Sequence, residues 1–236
     1  MAAVVTRGIC EFCGQEYSKR GIKRHLDSCA QRPMDHHGED KYYTLVVDSV
    51  YERGYWLYAE VPVWATLQDL DDFLKSIWLH CCGHLSEFRV DGQCYWPDYV
   101  DADWDVLSME TELMEILAPG SEFTYEYDFG STTKLKLRVV SSRIGDFPYS
   151  AEVKLLARNI APEIRCDNCE EMATRYFTEY YVSLCDTCAR IKAKAEANGE
   201  YNLPIVNSPR SGVCAYKSDR WNWEKDEETP ASGNLS

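Results

Sequence analysis

Apolar and polar positions alternate in part from Tyr42 to Val50, and again from Tyr55 to Val63, the two-residue period of a half-buried strand. Glu52, Arg53 and Gly54 supply the turn between them, and Pro62 marks a strand end or a sheet edge. The period then changes. Leu67, Leu70, Phe73, Leu74, Ile77 and Trp78 recur at helical spacing and predict one continuous apolar stripe. Thr66 with Asp69 three residues later is a capping box, which starts that helix at Leu67. The helix is expected to end near Cys81 to Gly83. Strands follow over His84 to Val90 and Gln93 to Trp96, with Asp91-Gly92 as the turn. A second helix is expected over Met109 to Leu117, burying Leu113, Met114, Ile116 and Leu117 and stopped by Pro119-Gly120. Glu122 to Asp128 and Lys134 to Val140 read as a hairpin, and Ala151 to Ala157 as a last strand. This order predicts an α+β fold, a mainly antiparallel sheet with helices packed on one face, plus two small zinc modules.

Length and charge narrow the classes. The 236 residues are 45% hydrophobic and rich in Tyr and Trp, enough for one sizeable core and small appendages. A formal net charge of −14 argues against non-specific coating of nucleic acid, which needs an excess of Lys and Arg. The charge is uneven, with ten carboxylates and no Lys or Arg between Trp96 and Asp128. No run of 18 apolar residues occurs, so no membrane span is expected. Met1 to Arg7 is too short for a signal peptide, so a cytoplasmic location is expected. The 11 cysteines, an odd number, then read as metal ligands rather than as a disulfide framework.

The N-terminal ligand pattern is Cys10-x2-Cys13-x11-His25-x3-Cys29. His25 and Cys29 are four apart and share a face if the chain is helical from Gly21. Three sulfurs and one imidazole form a tetrahedral zinc set, and this segment resembles small zinc fingers of the CCHC type. Phe12, Tyr17, Ile22 and Leu26 would be its core, too small to hold without metal. Lys19, Arg20, Lys23 and Arg24 beside His25 are either contacts to nucleic-acid phosphates or a solvated helix face. Residues 1–32 are assigned to this finger and 33–41 to a linker containing His36 and His37.

The C-terminal pattern is Cys166-x2-Cys169-x15-Cys185-x2-Cys188, the spacing of a four-sulfur zinc site. Each Cys-x-x-Cys is expected in a turn, with a hairpin over Tyr176 to Leu184 between them and a helix over Ala189 to Asn198. Residues 161–200 form this module. Residues 201–236 are expected to be a largely disordered acidic tail, with Trp221 and Trp223 as a docking or recognition segment.

The middle of the chain, 42–160, resembles the plasmid pRiA4b ORF-3-like domain. The resemblance is carried by the capped helix Thr66 to Leu74, by Trp78 followed by His84-Leu85, by Phe88 and Tyr95, and by the block from Phe123 to Gly130. It implies an α+β fold and a biochemical role largely unassigned in the family. Many members continue Asp-Phe-Gly with Asp, Trp and a His. Ser131 and Thr132 stand here instead, so no role of those polar residues carries over.

Three further groups carry candidate chemistry. Asp128-Phe129-Gly130 lacks the companion motifs of a kinase and reads as a strand end, with Gly130 in the turn and Phe129 packed inward. His80, Cys81, Cys82, His84 and Cys94 are open to three readings: helix-end packing, a third metal site, or a Cys82/His84 nucleophile pair. Adjacent cysteines are expected to point apart, which disfavours Cys81 and Cys82 in one site. The carboxylates Asp98, Asp101, Asp103, Asp105, Glu110, Glu112 and Glu115 lack the Gly and Glu of a calcium loop and read as solvated. The leading functional reading is a zinc-containing binding or adaptor protein with two ions, its partner either protein or nucleic acid. The alternatives are an enzyme using Cys82 and His84, or a structural component of an assembly.

Overall fold

The structure, a computed structural model, describes residues 6–33, 38–98, 106–145, 153–195, 202–214 and 216–217. His36, His37, Asp101, Asp103, Asp105, Trp221, Trp223 and the predicted helix beyond residue 195 lie outside the described residues.

The chain opens with β1 (Arg7–Cys10), β2 (Glu16–Ser18) and α1 (Lys19–Leu26). Strands β3 (Lys41–Ser49) and β4 (Trp56–Pro62) form the predicted hairpin. Helix α2 (Leu67–Leu74) runs directly into a π-helical turn, Lys75–Leu79. Then come β5 (Ser86–Val90), β6 (Gln93–Trp96), β7 (Leu107–Ser108), α3 (Leu113–Ile116), β8 (Glu122–Tyr127), β9 (Thr133–Ile144) and β10 (Lys154–Asn159). The C-terminal part holds β11 (Arg175–Phe177), β12 (Val182–Leu184), α4 (Asp186–Ala195) and β13 (Asn202–Pro204). Ten strands make one sheet in the order β2-β1-β10-β4-β3-β9-β8-β5-β6-β7, antiparallel except for β6 with β7. A second sheet has the order β12-β11-β13. The fold is thus α+β and mainly antiparallel.

The burial pattern of each strand shows what covers it. β8 and β9 alternate buried with half-exposed residues, so one face meets the core and the other meets water. β3 and β4 are buried almost continuously, which requires cover on both faces. On one face Tyr43, Leu45, Val47, Leu57, Ala59 and Val61 pack against α2 and the π-turn. On the reverse face Val46, Trp56, Tyr58 and Leu156 pack with Ile22 and Leu26 of α1. Helices therefore lie on both faces of the strip formed by β3 and β4: those of the centre on one side, that of the N-terminal segment on the other. Each of Ile22 and Leu26 gains about 1.5–3 kcal/mol from this burial.

Two expected helices differ in form. The stripe from Leu67 to Trp78 is present, and the Thr66–Asp69 box closes at 2.7 and 3.1 Å. Beyond Leu74 the helix widens to π geometry, and Ile77, Trp78 and Leu79 are all buried there. Lys75 meanwhile reaches back to Asp71 at 2.6 Å. Asp71, fully buried, also accepts from Tyr125 Oη at 2.7 Å, so the ion pair inside the core is hydrogen-bonded on both carboxylate oxygens. The expected helix over Met109 to Leu117 shrinks to Leu113–Ile116. The backbone N–H groups of Leu113 and Met114 donate to Ala65 and Val63 (2.8 Å each) instead of to preceding helical turns, and Met114 turns outward.

The N-terminal segment is locked to the sheet by a buried charge cluster. Glu60 on β4 accepts from Arg32 at 2.5 Å and, through both oxygens, from Arg143 on β9 at 2.7 and 2.8 Å. Arg32 also donates to the carbonyl of Leu26 at the end of α1 (2.9 Å). We predict that Glu60→Ala, which strips the shared acceptor from two guanidinium groups, costs about 3–5 kcal/mol in urea unfolding. A loss below about 1 kcal/mol would show that the cluster is a surface-type pair of little consequence.

Candidate metal centres

Among the described residues, three groups of Cys and His side chains converge, each with its four donor atoms within 4.8 Å of one another. A tetrahedral ion about 2.3 Å from sulfur and about 2.0–2.1 Å from nitrogen sets neighbouring sulfurs about 3.8 Å apart and sulfur to nitrogen about 3.6 Å. Those separations are the yardstick for each group.

The first group is Cys10, Cys13, His25 and Cys29. Cys10 ends β1, and the chain reverses at once. Gly14 N–H donates to the Cys10 carbonyl (2.9 Å), and the turn needs a left-handed residue, supplied by Gly14 at φ +68°. Ser18 caps α1 by accepting from Gly21 N–H at 3.1 Å, and α1 carries His25 back over the turn. Cys10 and Cys29 sulfurs lie 4.0 Å apart, and Cys13 Sγ lies 3.2 Å from His25 Nε2. Tyr17 stacks on the His25 ring with centroids 4.1 Å apart and fixes its plane. Burial pushes the Cys10 thiol up to about 11, whereas the Gln15 backbone, ahead of other contacts, lowers that of Cys13. Gly8, one strand position before Ile9, has no room for a side chain: a Cβ would overlap the Trp56 ring and the Arg158 carbonyl.

The second group is Cys166, Cys169, Cys185 and Cys188. Asp167 and Ser183 tie the first turn to β12 through bonds of 2.8 and 2.6 Å. The second pair departs from the expected turn: Cys185 immediately precedes α4 and Cys188 lies in its first turn. A Cys-x-x-Cys opening a helix is also the redox arrangement. Here, however, Cys169 Sγ lies 3.7 Å from both Cys185 and Cys188, so the pair does not stand alone. Burial would raise the Cys166 thiol, but N–H groups of Cys185 and Asn168 with other contacts outweigh it and hold it near 6. Its neighbour Cys188 is pushed up to about 12, chiefly by contact with Cys185 and Cys169. Phe177, Leu184 and Ala189 are the apolar filling of this unit, little more than a single cluster around the sulfurs.

The third group is Cys81, Cys82, His84 and Cys214. Residues Cys81, Cys82 and His84 stood among the sequence candidates, while Cys214 did not. His80 and Cys94 take no part, Cys94 lying in the β5–β6 hairpin opposite Arg89. The expectation that Cys81 and Cys82 diverge fails, because they are not on a regular element. The chain leaves the π-turn extended at His80 and bends at Gly83 (φ +74°), bringing the two sulfurs to 3.7 Å. Helix-end packing holds for Cys81, which packs against the central core, but not for Cys82, which is exposed.

The neighbouring Asp128 also differs from expectation. The left-handed residue of this turn is Asp128 (φ +65°) rather than Gly130, and Phe129 is half exposed against Trp96. Asp128 Oδ1 accepts from the N–H groups of Gly130 and Ser131 (3.0 and 3.2 Å), and Oδ2 from buried Arg210 at 2.5 Å. Burial alone would raise this carboxyl; Arg210 and the two N–H groups outweigh it and hold it below the usual carboxylate range.

Of the four cations beside His25, Lys19 forms an ion pair with Asp48 and Lys23 one with Asp27 at 3.6 Å. Arg20 and Arg24 are exposed. The basic face is therefore half neutralised by the protein's own carboxylates.

The family model described as plasmid pRiA4b ORF-3-like protein matches residues 51–167. That span runs from just before β4 past β10 to the first residues of the second cysteine group. It includes Cys81, Cys82 and His84 and leaves out the first group and Cys214. Among solved structures, the chain is similar to a protein of unknown function from Methanosarcina mazei Go1, at 20% identity and a TM-score of 0.42, covering 50% of this chain and 67% of that one. No curated protein matches. Among the described residues no helix is long and apolar enough to cross a membrane.

Proposed function

We propose that the chain is a zinc-dependent binding protein, in which the two terminal groups each hold one structural zinc ion and the sheet between them presents a surface to a protein partner. The observation that carries this reading is the closure of both donor sets. Each offers four protein ligands, three sulfurs and an imidazole or four sulfurs, and a zinc ion so held keeps no position for water or substrate. A catalytic zinc needs that position. Zinc is the ion of choice for thiolate-rich tetrahedral sets.

A protein partner is favoured over nucleic acid by charge. Two of the four cations on α1 already pair with Asp48 and Asp27, and the chain carries −14 overall. Arg20 and Arg24 remain as the only α1 cations without an ion pair among the described residues.

Metal analysis of full-length protein purified without chelator is expected to find at least two zinc ions per chain. Cys29→Ala and Cys185→Ala are each expected to lose one, with a lowered melting temperature. Unchanged zinc content in both variants would remove the reading. Fluorescence anisotropy with single-stranded and duplex DNA and RNA at low salt is expected to show no binding. Salt-dependent binding abolished by Arg20→Glu with Arg24→Glu would overturn the choice of a protein partner.

A further inference from the structure

We infer that Cys81, Cys82, His84 and Cys214 form a third metal site, taking a tetrahedral divalent ion of the zinc class, which fastens the C-terminal strap to the core. The strap comprises residues 205–214 and 216–217. Contacts to residues other than these four donors hold it. Ser208 Oγ donates to the carbonyl of Trp78 at 2.6 Å. Asn159 Nδ2 donates to Asn207 Oδ1 and Asn207 Nδ2 to the Asn159 backbone carbonyl, each at 2.8 Å, with Arg158 donating to the Asn207 carbonyl at 2.6 Å. Arg210 is fully buried against Asp128, Thr133 and the Ser131 carbonyl. These contacts carry the chain past Gly212, whose φ of +82° leaves no side chain to strike the Tyr176 ring. Cys214, itself left-handed at φ +53°, then turns its thiol back to a residue 132 positions earlier.

Two of the separations fall on those of a shared ion, and two are shorter. Cys81 and Cys82 sulfurs are 3.7 Å apart, Cys82 and Cys214 3.4 Å, and Cys214 Sγ lies 3.6 Å from His84 Nε2. Cys82 Sγ to His84 Nε2 is shorter, 2.9 Å, a thiol–imidazole hydrogen bond that an ion would replace. The surrounding groups suit a set of three thiolates. Arg210 Nη2 lies 3.5 Å from Cys81 Sγ, and the Tyr127 hydroxyl accepts from His84 N–H at 3.2 Å while lying 3.9 Å from Cys81 Sγ. A cation and a hydroxyl thus hold the first shell in place from outside. Three sulfurs with one imidazole repeat the donor set of the first group and select zinc on the same grounds.

Two rival chemistries fit less well. In a nucleophile dyad the imidazole faces the thiol with one nitrogen and its orienting group with the other. Here Asp128 Oδ2, at 3.5 Å, crowds the same Nε2 that faces Cys82 and Cys214. A Cys82–Cys214 disulfide would use two donors and leave the convergence of Cys81 and His84 unexplained.

The contrast between exposure and ligation supplies the test. Cys82 and Cys214 are exposed, so as unligated thiols they would alkylate readily. In full-length protein purified without chelator, peptide mapping after N-ethylmaleimide treatment is expected to show both unlabelled until a zinc chelator is added. The Cys82→Ser, Cys214→Ser double variant is expected to contain one zinc ion fewer per chain than wild type and to keep the ions of the terminal groups. Failure of those two groups to bind zinc is read separately, from their own variants. Labelling of Cys82 and Cys214 before chelation as fast as after it would overturn the third site. So would a Cys82–Cys214 disulfide in reductant-free protein, or a double variant with undiminished zinc.

Discussion

Four donor atoms brought within 4.8 Å of one another at each end of this chain are the constraint the terminal folds answer to. In the second group, contact with Cys185 and Cys169 drives the Cys188 thiol up to about 12, while N–H groups of Cys185 and Asn168 outweigh burial and hold that of Cys166 near 6. A divalent ion would turn such a set to joint ligation, with release of the bound protons. The two terminal units differ in the apolar packing that surrounds their donors. The C-terminal one has Phe177, Leu184 and Ala189 for a core and little else. The N-terminal one shares its core with Trp56, Tyr58 and Leu156 of the sheet and is braced by Arg32 on Glu60.

That difference connects the ligand geometry to the architecture. In the first group, the turn at Gly14 and the cap at Ser18 aim His25 at Cys13, and the same helix lays Ile22 and Leu26 over the reverse face of the sheet. An ion there would orient a structural layer rather than a reacting atom. At the other end, β13 adds a strand to the four-sulfur unit and leads straight into the strap, which returns to the core at Trp78 and Asp128. The centre is thus held between two appendages that begin as local Cys/His clusters and end as packing against it.

Much of this was legible in the sequence where the signal was local. Cys-x-x-Cys spacing, the Thr66 box and the Glu122–Val140 hairpin each lie within one element or one turn. The alternation along β8 and β9 predicted one wet face. The unbroken burial of β3 and β4 points to a covered reverse face, but the partly alternating pattern read there left α1 unplaced. What escaped was set by distance in sequence or by irregular backbone. Cys214 reaches a site 130 residues away, through a segment whose buried anchors are Ser208 and Arg210 and so look like solvent-facing polar residues. The π-turn after Leu74 has no sequence mark that separates it from a continuing helix. Asp71 sits in an acidic helix start, where the helix field favours a carboxylate, yet it is buried against Lys75 and Tyr125.

Amide hydrogen exchange on the full chain, before and after zinc chelation, tests most directly whether the ends are folded around ions. The account predicts that chelation strips protection from α1 and from the β11–β12 hairpin with α4, more completely in the latter, while β3, β8 and β9 stay protected. Unchanged protection in both terminal segments after the metal is gone would contradict it.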